Sequence, residues 1–179
     1  MHRDGRSEAA LVGRPFPTVQ ATACLAAGLA LVRFGITAHG AIAAFVAGVL
    51  VVLAGIDIER RILPNRIVLP SAAVVLVAQI VVSPERTAEW LLAALGASAF
   101  FFAAHAVYPA GLGFGDVKLA FLLGAALGAA VIRALVIGSL LAALVGAILI
   151  AREGSDARKK SLPFGPFLAL GALVMLFIG

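Results

Sequence analysis

The chain has 179 residues, 63% of them apolar and only 13% charged, with a mean hydropathy of +1.11 and a net charge of +5. So few charges exclude an ordinary soluble domain of this size and indicate a polytopic membrane protein. In such a chain a basic excess reflects loops held in the cytoplasm, so no nucleic-acid partner is expected.

Met1 to Pro17 is polar and carries Arg3, Arg6 and Arg14. It reads as a short cytoplasmic arm. A signal peptide is the weaker reading, because the apolar run that follows has no clear cleavage site. Residues 18–179 then form one membrane-embedded domain. Seven apolar segments follow: Thr18–Phe34, Ala38–Ile56, Ile67–Val82, Ala88–Val107, Val117–Ile132, Ala134–Ala151 and Leu162–Ile178. Each reads as a helix able to cross a core of about 30 Å, some only with thinning or snorkelling at the ends. Helices satisfy their own backbone groups, and the alternating pattern of a membrane barrel is absent. The expected fold is therefore an all-α transmembrane bundle of about seven spans. The Gly124/Gly128 spacing suits close packing of helices within it.

With the N-terminus inside, the inner side holds Arg3, Arg6, Arg14, Arg60, Arg61, Arg66, Lys118, Arg152, Arg158, Lys159 and Lys160. The outer side holds Arg33, Arg86 and Arg133. Eleven basic residues against three set the orientation. They also put two acids, Asp57 and Asp116, at the cytoplasmic boundary of a multi-pass cell-membrane protein. The single cysteine, Cys24, allows no internal disulfide and no cysteine zinc cluster. His2, His39 and His105 lack metal-ligand spacing, so neither metal nor cofactor is expected.

An ionisable residue at a membrane boundary is a functional candidate. Asp116 follows Gly111, Gly113 and Gly115, whose bare backbone lets a peptide lie close. Read alone, it is equally an N-cap. Asp57 ends an apolar run, and Pro64 breaks the helix after it. Read alone, it is an interface acid paired with Arg60 or Arg61. Together the two suggest an aspartyl protease. Two nearby carboxyls do not both ionise comfortably, so one activates water while the protonated partner polarises the scissile carbonyl. A helix N-terminus favours negative charge, so Asp116, placed before its helix, is the expected base, and Asp57, placed after its own, the expected acid. Lys118 is expected to snorkel or to face an acid elsewhere. His105 is expected to be a packed or interface histidine, and Glu59 to be solvated. Ser71, Ser98 and Ser139 have no histidine at matching depth.

Three stretches carry a family resemblance. Asp57 through Pro64-Asn65, Gly113-Phe114-Gly115-Asp116-Val117-Lys118-Leu119, and Leu162-Pro163-Phe164-Gly165-Pro166-Phe167 resemble the type 4 prepilin peptidases, membrane aspartyl proteases of the Gly-x-Gly-Asp kind. The resemblance implies Asp57 and Asp116 as the catalytic pair. It implies Gly111, Gly113, Gly115, Lys118, Pro64 and Asn65 as the active-site loops, and Pro163, Phe164, Gly165 and Pro166 as a possible substrate region. It also implies cleavage of the basic leader of prepilin or pseudopilin precursors at the cytoplasmic face. Larger members add a cytoplasmic domain with paired Cys-x-x-Cys motifs and N-methylate the product. This chain shows neither feature, so methylation and zinc are not expected. The competing readings are a presenilin-like protease with other substrates, a small channel or transporter, and an inactive relative. The oligomeric state is open.

Overall fold

The computed structural model describes residues 17–109, 111–153 and 162–178. Most of the expected cytoplasmic arm, together with Arg158, Lys159 and Lys160, lies outside the described residues.

The described chain contains seven α-helices: α1 Pro17–Phe34, α2 Ala38–Arg60, α3 Asn65–Val82, α4 Thr87–Val107, α5 Phe114–Leu127, α6 Val131–Glu153 and α7 Gly165–Ile178. Each expected apolar segment forms one of them. By length and composition four stretches are able to cross a membrane: Ala38–Arg60, Asn65–Val82, Pro84–Val107 and Phe114–Arg152. Thr18–Phe34 and Gly165–Ile178 are apolar but shorter. Large apolar side chains face outward along the bundle, among them Leu92, Ile132 and Leu140. No water-soluble protein this small would leave such residues unpaired at this density, whereas lipid accepts them.

The fifth and sixth segments divide earlier than the sequence suggests. The expected boundary is Ile132/Arg133, but α5 stops at Leu127 and a single 3-10 turn covers Gly128–Ala130. Gly128 has φ +55°, and an added Cβ would meet the Glu89 carboxylate at 2.6 Å and the Trp90 ring at 2.7 Å. Glu89 Oε1 also accepts from the Ala129 N–H (3.2 Å), so α4 holds the break in place. Gly128 therefore ends the helix, and like Gly124 it lies close against α4, as the spacing of the two glycines suggests.

Helix α5 is the centre of the bundle. It packs against α4 and α3, and touches α2, α6 and α7. Nine of its 14 residues are buried, and Leu119, Leu122 and Leu123 almost completely so. A helix that is apolar all round belongs inside. Gly124 allows a close approach: an added Cβ would sit 2.5 Å from the Ala94 Cα of α4. Helices α6 and α7 cross in the same way, with Gly138 against the Phe167 carbonyl and Gly171 against the Ala134 carbonyl. Small residues supply the close van der Waals contact that drives helix association in lipid.

This packing gathers the end of α2, the starts of α3, α5 and α7, and the end of α4 at one end of the bundle. The three stretches that carry the resemblance lie at those termini and in the loops that lead into them.

Candidate active site

Asp57 lies in the last turn of α2 and is 6% exposed. The helix runs three residues further, to Arg60, and ends when Arg61 adopts a left-handed conformation (φ 52°, ψ 38°). That cap turns the chain sharply; the Arg61 N–H donates to the Asp57 carbonyl at 2.8 Å. Pro64 then caps α3 through its backbone alone. Asp57 does not pair with Arg60 or Arg61 among the described residues. Its Oδ2 accepts instead from the N–H of Gly165, the first residue of α7, at 3.0 Å. A Cβ on Gly165 would lie 2.7 Å from that oxygen. Glycine is therefore what lets the helix start reach the acid.

Asp116 is the third residue of α5 and is 7% exposed. It lies inside the first turn, not ahead of the helix. The Gly113 N–H donates to its Oδ2 (3.1 Å), and its own N–H donates to the Gly113 carbonyl (3.0 Å). This reciprocal pair closes the start of α5. The loop glycines need no unusual backbone angles, since Gly111, Gly113 and Gly115 all lack a positive φ. What two of them need is space. A Cβ on Gly115 would meet the Leu63 Cβ at 3.0 Å, and one on Gly111 would run into the Tyr108 ring.

The two acids line one cavity of about 420 Å³ and interact electrostatically. Each is hydrogen-bonded at a helix N-terminus, Asp116 at its own and Asp57 at that of α7. Helix ends therefore do not separate the acids into base and proton donor, contrary to the sequence-based expectation.

Gly111, Gly113, Gly115, Asn65, Lys118, Pro163 and Phe164 share the cavity wall with the acids. Gly165 reaches it through Asp57. Pro64 and Pro166 do not line it, and Pro166 faces a separate apolar groove between α1, α2 and α7. Among the described residues Lys118 meets no acid. Its Nζ donates to Asn65 Oδ1 at 2.7 Å and lies 4.8 Å from the centre of the Phe114 ring. This exposed hydrogen bond joins the start of α3 to the first turns of α5. Glu59 is exposed.

Leu63 and Pro109 also line the cavity and were not singled out in the sequence, and Arg61 lines it although the sequence offered it only as a partner for Asp57. A left-handed cap is usually glycine or asparagine, so an arginine there gives no local signal. Among the described residues, no group of three or more His, Cys, Asp or Glu side chains is placed to hold a metal ion.

Residues 44–151 match the type IV leader peptidase family. A prepilin leader peptidase/N-methyltransferase of Bacillus subtilis is 35% identical over 162 residues, covering 88% of this chain and 63% of that protein. Proteins of the same name from Xanthomonas campestris pv. campestris and Burkholderia pseudomallei are 29% and 34% identical. They are covered over 64% and 56% of their own lengths, against 97% and 94% of this chain. The chain thus spans less than two thirds of these relatives. No solved structure is significantly similar to it. The family match takes in both buried acids, the glycine loop and more than half of the sequence, and the chain belongs to the type IV leader peptidase family.

Proposed function

We propose that the protein is a membrane aspartic endopeptidase that removes the basic leader from type IV prepilin-like precursors at the cytoplasmic membrane face. The observation that carries this reading is the shared cavity: two buried aspartates from different helices, with a glycine loop in the same wall. In the proposed reaction the ionised aspartate takes a proton from water. The other, protonated, donates to the carbonyl oxygen of the scissile peptide. Water attacks, and the tetrahedral intermediate collapses as the leaving amine gains a proton. The relatives' names support prepilin precursors as the substrate. They also include N-methyltransferase, which this reading leaves to them.

The acids lie at one end of the bundle, not at mid-depth, which favours this reading over a channel or transporter. The charge bias supports a cytoplasmic N-terminus and a cytoplasmic site. Reporter fusions after Ser83 and after Lys160 should report outside and inside respectively; the reverse at both would overturn the orientation.

Asp57→Asn and Asp116→Asn should each abolish cleavage while the protein stays inserted and folded. Asn nearly matches Asp in shape, but cannot serve as base or proton donor. Glu59→Gln, exposed in the same last turn of α2 as Asp57, should keep most activity. The assay is mass-resolved cleavage, in detergent, of a precursor with a basic leader and a following apolar helix. Cleavage by either Asp→Asn variant at the parent rate would sink the two-carboxylate mechanism.

A further inference from the structure

The peptide between Leu112 and Gly113 is held at both ends. Its N–H, on Gly113, donates to Asp116 Oδ2 (3.1 Å). Its carbonyl, on Leu112, lies 2.6 Å from His105 Nδ1. A carbonyl oxygen only accepts, so Nδ1 carries the proton in this contact. His105 is half-buried in the last turn of α4, with its ring 5.8 Å from that of Phe114, edge to face. Asp116 and His105 therefore lie at the two ends of one chain: imidazole N–H to carbonyl, then peptide N–H to carboxylate. The two hydrogen bonds share a trans peptide, so a donor on its oxygen polarises the amide and strengthens the N–H as a donor. The same contact fixes the loop. Gly113 precedes α5, and its direction decides where the Asp116 carboxylate sits against the cavity.

We infer that His105 is a positioning residue for Asp116, acting through the Leu112–Gly113 peptide. The inference rests on the proposed role of Asp116 as one of the two reacting acids. His105 does not line the cavity and does not meet the substrate; it orients and polarises the peptide that holds the acid. Lys118, whose ammonium also lies against the Phe114 ring, is bonded to Asn65, and the imidazole is the donor to this carbonyl.

Two substitutions separate this role from simple packing. His105→Phe keeps a ring against Phe114 and removes the donor. His105→Asn removes the ring and keeps an N–H at the position of Nδ1. With a prepilin precursor as substrate, His105→Phe should lower kcat by roughly tenfold with KM changed by less than about twofold. His105→Asn should return kcat to within about threefold of the parent. A packing role predicts the opposite ranking. The inference is overturned if His105→Phe keeps the parent kcat, if its loss lies in KM alone, or if His105→Asn is as slow as His105→Phe. A second measurement needs neither variants nor cleavage: 15N NMR of the unaltered protein should find the His105 ring proton on Nδ1. A proton on Nε2 with Nδ1 bare overturns the inference even if the variants misfold. Failure of the parent to cut any precursor would instead count against the proposed function, and the NMR result would still decide the hydrogen bond.

Discussion

Replacing Gly165 with alanine tests how closely the start of α7 is fitted to Asp57. The new methyl would stand 2.7 Å from Oδ2 and 3.2 Å from Cγ, so rotating the carboxyl does not clear it. Helix α7 cannot simply withdraw. Phe164, just ahead of it, packs against Phe101 at 6.0 Å between ring centres, and its carbonyl accepts from the N–H groups of Phe167 and Leu168. The acid has to give way, and its 3.0 Å bond from the Gly165 N–H lengthens. Forcing one methyl into a packed site costs about 1–3 kcal/mol. If that strain falls wholly on the acid's working position, turnover falls by roughly 5- to 150-fold, at tenfold per about 1.4 kcal/mol. The measurement is kcat and KM for precursor cleavage, with the melting temperature in the same detergent as the check on folding. Gly96→Ala is the control: an added Cβ there has nothing within 4 Å, and helix propensity makes the change neutral or stabilising. A folded Gly165→Ala protein that turns over within twofold of the parent would refute the claim that α7 positions Asp57.

Other substitutions probe the packing around the site. Lys118→Met and Asn65→Ala should each lower stability by about 1 kcal/mol. In combination they should cost less than the sum, because both remove the same α3–α5 bond; full additivity in a double-mutant cycle would show the bond to be idle. Gly124→Ala drives a methyl into the α4 backbone at Ala93 and Ala94, where no side chain can move aside. Its melting temperature should fall by several degrees, for a cost of about 1–3 kcal/mol; an unchanged value would mean that the α4–α5 crossing is looser than described. Gly128→Ala adds a strained φ to a clash with Trp90, and should destabilise more than Gly96→Ala under identical conditions.

The helices were legible because lipid demands long apolar runs, and each run became a helix. The division between α5 and α6 was not, since Gly128–Ala130 lies inside an apolar stretch and Arg133 drew the expected boundary towards itself. What ends α5 is a contact with Glu89 and Trp90, which no local pattern encodes. The site divides in the same way. Asp57 and Asp116 stood out as acids in an apolar chain, beside glycines and a proline. Their hydrogen-bond partners were not legible: Asp116 by itself reads as an N-cap, whereas it stands third in α5 and accepts from the Gly113 N–H. Gly165 meets Asp57 across 108 residues, and Lys118 meets Asn65 across 53. The Lys118–Asn65 contact was not legible, because helix periodicity describes its own face and says nothing about which neighbour is packed there.

The distance along the chain between Asp57 and Gly165 has a consequence for biogenesis. Helices leave the ribosome in order, and α2 through α6 are made before α7 exists. Until the last helix threads in and docks, the Asp57 carboxylate lacks the N–H that holds it, and the wall formed by Pro163 and Phe164 is missing. A half-made chain would share the membrane with newly synthesised precursors yet hold an incomplete site. The proposed activity would switch on only with the final insertion step, so the order of synthesis itself would act as a safety catch.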